Sequence, residues 1–259
     1  MKTCPYCSRT NVKFSREHII SSTVLREVFG NPVKNRVSGE LFGKTSVLDN
    51  EPTSKHVCKD CNSKLSPCDT AGRDLVLQIM SRASVANTSV DFPTLRLNWL
   101  IKTHLNFLIV TRPQTKSNYV NLQGLFDSLI DLKPVPRHLY ALCLEALDTD
   151  ASYFDGTRKE GVGYFHYRSV DFLSQQTIVS TLRIKSLTTY LVLPLSANYW
   201  GFPARVDDTL DEMRRVFDIN VQQVTAECLE KSTSVLVSQI FSREKTDAIL
   251  RAEAAAAAS

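Results

Sequence analysis

The spacing of apolar residues changes near residue 70. Before that point the chain is rich in Cys, Ser, Lys and Asn and has no long periodic stretch, which predicts short strands, loops and one short helix. From Asp69 onward Leu75, Ile79 and Met80 recur at helical spacing. Phe92 to Arg112 holds Leu95, Trp99, Leu100, Leu105, Phe107 and Leu108, with Pro93 at one end and Pro113 beyond the other, and predicts a buried helix. Helices are also expected at Leu122–Leu132 and Arg137–Leu147, separated by Lys133-Pro-Val-Pro. Gly163–Leu195 alternates and is rich in β-branched and aromatic residues, the pattern of strands. Asp207–Phe217 and Val221–Lys231 read as surface helices, and Ser232–Phe241 fits either element.

This rhythm predicts an α+β protein: a small domain at 1–75, then a mixed helical and β domain at 76–251. Residues 252–259 are an alanine-rich tail of low complexity. No internal repeat is present. The small domain has too little apolar material for a large core, so it needs another source of stability.

Composition adds limits. With 43% hydrophobic and 22% charged residues in 259, the chain reads as an ordinary globular protein. No run of 18 apolar, uncharged residues appears, and the first residues lack the apolar core of a signal peptide, so no membrane association is expected. Seven cysteines, an odd number in a chain of this size, fit a reducing cytoplasm better than a disulfide framework. The net charge of +4 lies entirely in residues 1–75, where 12 Lys+Arg face 8 Asp+Glu; the remainder has 19 of each. Lys2, Arg9, Lys55, Lys59 and Lys64 flank the cysteines, a modest footprint for a polyanion.

The chemistry concentrates in two Cys-x-x-Cys pairs, Cys4/Cys7 and Cys58/Cys61. Four thiolates at this spacing are the expected ligand set of one structural zinc, closed at four ligands with no open position; the alternatives are substitution of one ligand by His56 or Cys68, or two unrelated pairs. Zinc binding supplies roughly 10–16 kcal/mol in finger peptides, enough to hold a small domain. Cys143 and Cys228 lie in apolar patterns read as helical and are expected to be buried thiols.

Between the pairs lies Ser15-Arg-Glu-His-Ile-Ile20, and Asn62 follows Cys61 directly. Cys-x2-Cys, then Glu-His-Ile-Ile, then Cys-x-x-Cys-Asn resembles the HNH endonuclease family, with its ββα-metal motif and a zinc-containing subgroup. The resemblance covers about residues 1–75. It implies that His18 is the general base, that Glu17 and Asn62 hold a catalytic Mg²⁺ or Mn²⁺, and that Asn50 is the nearest counterpart of the middle Asn. It further implies hydrolysis of nucleic-acid phosphodiester bonds, DNA foremost, in settings such as phage defence or restriction. The sequence departs from the family where Ser21 stands in place of the usual Pro and where the Gly-Gly after that turn is missing.

A non-catalytic module that grips nucleic acid with the same zinc frame is the alternative. Under either reading residues 76–251 choose the target, control access, or join a protein partner or a second copy. Lys102, His104 and Asn106 interrupt the apolar Phe92–Arg112 helix and read as positions at the edge of the core.

Overall fold

The computed structural model of the chain describes residues 2–29, 37–41, 44–48, 53–82, 88–91, 93–111, 122–136, 140–146, 163–172, 175–184, 187–194 and 234–237. The architecture is α+β. Strands β1 (Glu17–His18) and β4 (Thr53–Ser54) pair antiparallel, with helix α1 (Ser22–Phe29) and the hairpin β2 (Val37–Leu41) and β3 (Lys44–Leu48) between them in sequence. Helix α2 (Lys59–Arg82), strand β5 (Thr88–Asp91), helix α3 (Thr94–Thr111) and helix α4 (Leu122–Ile130) follow. Strands β6 (Ala141–Ala146), β7 (Gly163–Phe172), β8 (Gln175–Ile184), β9 (Leu187–Pro194) and β10 (Ser234–Val237) complete the described elements.

Six strands form one sheet in the order β3-β2-β7-β8-β9-β6, antiparallel except where β2 meets β7. The β2–β3 hairpin, which lies between the cysteine pairs in sequence, therefore hydrogen-bonds into a sheet built mostly from residues 141–194. β5 and β10 form a separate antiparallel pair.

Each helix buries the stripe its sequence provides. Ser21 precedes α1 and its carbonyl accepts from Leu25 N at 3.1 Å, as an N-cap residue's does, while its hydroxyl meets Thr23 Oγ1 at 2.7 Å. Its apolar face is Val24, Leu25 and Val28. α2 buries Cys61, Leu65, Cys68, Gly72, Leu75 and Val76, spaced by three and four residues along one side.

α3 is the central element, buried from Asn98 to Leu108 without a break. It packs between α2 and the sheet at β8 and β9. Ile178, Ser180, Leu182 and Ile184 share one face of β8 and are buried, as are Thr189, Leu191 and Leu193 on β9; Thr177, Val179, Tyr190 and Val192 of the other face are buried as well. Against α2 the approach is close: the ring of Trp99 lies where a Cβ on Gly72 would stand. Glycine is thus required at residue 72 by contact. Arg96 Nη1 donates to Gln78 Oε1 at 2.6 Å beside this crossing.

Three sequence readings change. The described part of Arg137–Leu147 is not helical: Ala141–Ala146 is an edge strand paired with β9, and Cys143 lies on that strand. A short apolar run fits either element, and here the open edge of β9 decides. The cysteine-bearing segment holds the start of a long helix, α2, in addition to the short α1. Lys102, His104 and Asn106 are core residues, not edge positions. The helix of Phe92–Arg112 forms as α3 and that of Leu122–Leu132 as α4, while Ser234–Val237, within the ambiguous segment, is a strand. Asn50, Asp148–Gly161, Asp207–Phe217, Val221–Lys231 (with Cys228) and the tail 252–259 fall outside the described residues.

Candidate metal centre and buried polar cluster

The first cysteine pair is shaped by a tight turn. Ser8 N donates to Cys4 O at 2.9 Å and Cys4 N to Arg9 O at 3.0 Å, which folds Cys4–Arg9 back on itself. Ser8 takes a positive φ of 55° to close the turn. The second pair sits at the start of α2: Asn62 N donates to Cys58 O at 3.0 Å, so Cys58 precedes the first helical residue and Cys61 lies in the first turn. The unpaired N–H groups of a helix start favour negative charge there.

A two-stranded ribbon joins the pairs. Phe14 bridges Cys58, Ser15 N donates to Val57 O at 3.0 Å, and Lys59 N donates to Lys13 O at 2.9 Å. Further along, Glu17 opposes Ser54 and His18 opposes Thr53. Between these contacts one side advances three residues and the other four, so the 54–58 segment carries one extra residue, a bulge. The bulge breaks strict alternation, and His56, Val57 and Cys58 are buried in succession.

The four sulfurs of Cys4, Cys7, Cys58 and Cys61 lie within 4.8 Å of one another. Cys7 Sγ and Cys58 Sγ are 3.8 Å apart, the edge of a tetrahedron with metal–sulfur bonds of about 2.3 Å. Cys58 N donates to Cys4 Sγ at 3.4 Å, and Arg9 Nε to Cys7 Sγ at 3.4 Å. Burial pulls the Cys7 thiol upward, but hydrogen bonds, those of Arg9 foremost, bring it down to about 6. Burial and the neighbouring thiols push Cys61 upward, and burial does the same to Cys4. Four sulfurs this close do not all ionise without a cation among them, and a zinc ion meets that need. The centre is a four-cysteine cluster fitted to structural zinc, and among the described residues no fifth metal-ligating side chain joins it.

Glu17 has a different setting from the one its neighbour His18 suggests. It is buried, and Lys102 Nζ of α3 stands 2.9 Å from its Oε1. The same ammonium lies 2.8 Å from both oxygens of Asp69 on α2. Asn106 Nδ2 approaches Glu17 Oε1 at 3.4 Å, while Asn106 Oδ1 accepts from Tyr6 Oη at 2.8 Å. His56 Nε2 is 3.0 Å from the same Oδ1, so that nitrogen carries the proton. Burial holds His56 down to about 4, hence neutral. Burial would lower Lys102, but Asp69 and Glu17 outweigh it and keep the ammonium charged. Burial raises Glu17 against the pull of Lys102. The cluster ties the ribbon, the cysteine turn, α2 and α3 to one another.

His18 is half-buried on β1, and Asn62 is half-buried in the first turn of α2. A second polar contact joins α3 to the sheet. His104 Nδ1 and Nε2 lie 2.8 Å from Ser180 Oγ and Thr189 Oγ1. Thr189 donates its hydroxyl to Leu182 O at 3.4 Å, so it accepts from Nε2–H, and Ser180 donates to Nδ1. Burial lowers His104 from 6.5 to about 3. It is a neutral core histidine. Sequence reasoning placed Lys102 and Asn106 at the edge of the core and assigned Asp69 and Tyr6 no role in such a cluster. The one available signal was three polar residues, 102, 104 and 106, inside an otherwise apolar helix.

Fold and site together define an α+β protein with a four-cysteine metal centre and a buried ion-paired cluster beside it. Comparison with protein-family models, curated proteins and solved structures gives no match. No helix among the described residues is long and apolar enough to cross a membrane.

Proposed function

We propose that this protein is a zinc-stabilised nucleic-acid-binding module, with residues 1–75 facing the nucleic acid and residues 76–251 choosing the target, controlling access or joining a partner or second copy. The observation that carries this is the four-cysteine cluster at the root of a ribbon and a helix start that expose Lys13, Arg16, Lys55 and Lys59. A closed thiolate centre fixes the fold and leaves binding to the surrounding side chains. The expected partner is DNA, through its phosphates, in the cytoplasm. The test is titration of labelled DNA with the zinc-loaded chain at low salt; absence of binding sinks the reading.

Hydrolysis is the second reading. It is supported by the order ribbon then helix, with His18 on β1 and Asn62 on the first turn of α2. As the resemblance implies, His18 would act as general base on a water. Glu17 fits the role of a Mg²⁺ or Mn²⁺ ligand poorly, because its Oε1 is already held by the Lys102 ammonium and by Asn106, away from solvent. No hydrolytic step through such a metal is derived. Plasmid digestion with Mg²⁺ or Mn²⁺, comparing the native chain with His18→Ala, separates the readings: cutting that His18→Ala abolishes while zinc content holds establishes the nuclease.

A further inference from the structure

Asn106 is wholly buried in α3, where a leucine of similar shape would pack without needing polar partners. Its amide instead meets three groups of the cysteine-bearing segment. Oδ1 accepts from Tyr6 Oη at 2.8 Å and from His56 Nε2 at 3.0 Å, and Nδ2 donates to Glu17 Oε1 at 3.4 Å. The Glu17 oxygen, paired with Lys102 Nζ, takes the N–H₂ side of the amide, which turns the carbonyl oxygen toward Tyr6 and His56.

The two donors belong to different halves of the metal centre. Tyr6 lies inside the Cys4–Cys7 turn, and His56 stands two residues before Cys58. One oxygen of α3 therefore holds both cysteine pairs. Tyr6 is 1% exposed and His56 6%, so water does not replace a lost bond at either. The Tyr6 ring also packs edge-on against Phe126 of α4, with centroids 4.8 Å apart, which places the ring independently of its hydroxyl. The four sulfurs are crowded within 4.8 Å of one another, an arrangement that thiolates resist until a cation joins them. Ordering done by the protein need not be done by the metal, so a frame that holds the pairs together raises affinity. Groups outside the ligand shell that orient it contribute about 10–100-fold to metal affinity.

We propose that Asn106 is a positioning residue for the zinc site: it holds the two cysteine pairs at binding distance, so that metal affinity is set in part by a helix outside the cysteine-bearing segment. This rests on the zinc reading of the four cysteines and not on nucleic-acid binding. The test is the zinc affinity of the full chain, measured by competition with a chromogenic chelator. Tyr6→Phe keeps the ring and removes one of the two bonds to Oδ1; it should weaken zinc binding about tenfold. Asn106→Leu should weaken it further, and the double variant should be no weaker than Asn106→Leu, because the hydroxyl acts through the amide. His104→Asn disturbs α3 where it meets β8 and β9 and should leave zinc affinity unchanged. Native affinity in Tyr6→Phe would overturn the proposal, whether or not Asn106→Leu folds. Equal weakening by Tyr6→Phe and His104→Asn would overturn it by tracing the loss to general stability. Losses that multiply in the double variant would overturn it by showing that hydroxyl and amide act separately. A native chain that binds no zinc would overturn the zinc reading along with it.

Discussion

Lys102 Nζ stands 2.9 Å from Glu17 Oε1, and both side chains are almost wholly excluded from solvent. The pair fastens the centre of α3 to the ribbon beside the zinc centre, and Asp69 completes it from α2. One ammonium between two carboxylates is a structural joint whose geometry depends on all three elements.

Removing the cation should therefore be costly. Lys102→Met leaves Glu17 and Asp69 facing each other without a counter-charge, and breaking a buried pair in this way costs about 3–5 kcal/mol. Lys102→Met with Glu17→Gln should recover part of the loss. Chemical denaturation of the single and double variants checks this; additive losses would mean that the two residues are not coupled.

The contact of α2 with α3 makes a second prediction. Gly72→Ala places a methyl group against the Trp99 ring, which is boxed in on all sides. Overpacking of this kind typically costs about 1–3 kcal/mol. Ala is the better helix former, so a gain in thermal midpoint would show that the contact is loose.

His104 sets an expectation for pH. Its folded value of about 3 lies below its ordinary 6.5, so the neutral ring contributes stability above about pH 6.5. That contribution is lost as pH falls from there toward about 3, because only the unfolded chain takes up the proton. The whole effect is on the order of 5 kcal/mol, complete only below about pH 3. Between pH 7 and 5.5 stability should fall less steeply in His104→Asn than in the native chain; the difference isolates the imidazole from protonation of the zinc thiolates. Equal slopes would contradict the assignment.

The metal centre was legible because its signal is local: two short Cys pairs state the ligand set without knowledge of the fold. Helix α3 was legible from its apolar run and from Pro93, whose carbonyl accepts the first helical bonds from Arg96 and Leu97. The polar cluster was not legible. Lys102 reads as an edge residue until Glu17 and Asp69 are brought to it, and His104 until Ser180 and Thr189 are. Those partners come from four other elements, β1, α2, β8 and β9, and no spacing within α3 names them. The same limit misread Ala141–Ala146, whose state is set by the neighbouring edge of β9. The ion pair of Glu17 was equally hidden: strand alternation turns it to the opposite face from His18, and that buried face of β1 meets Lys102.

A zinc held by Cys4, Cys7, Cys58 and Cys61 is proposed to build a surface that binds nucleic acid. The most direct measurement follows DNA binding by fluorescence anisotropy at low salt while zinc is counted by elemental analysis, for the native chain, for the chain after chelation and for Cys58→Ser. About one zinc per chain, salt-sensitive DNA binding, and joint loss of both on chelation or in Cys58→Ser are expected. A folded, zinc-free chain that binds DNA as tightly as before, or a zinc-loaded chain that binds none, would contradict it.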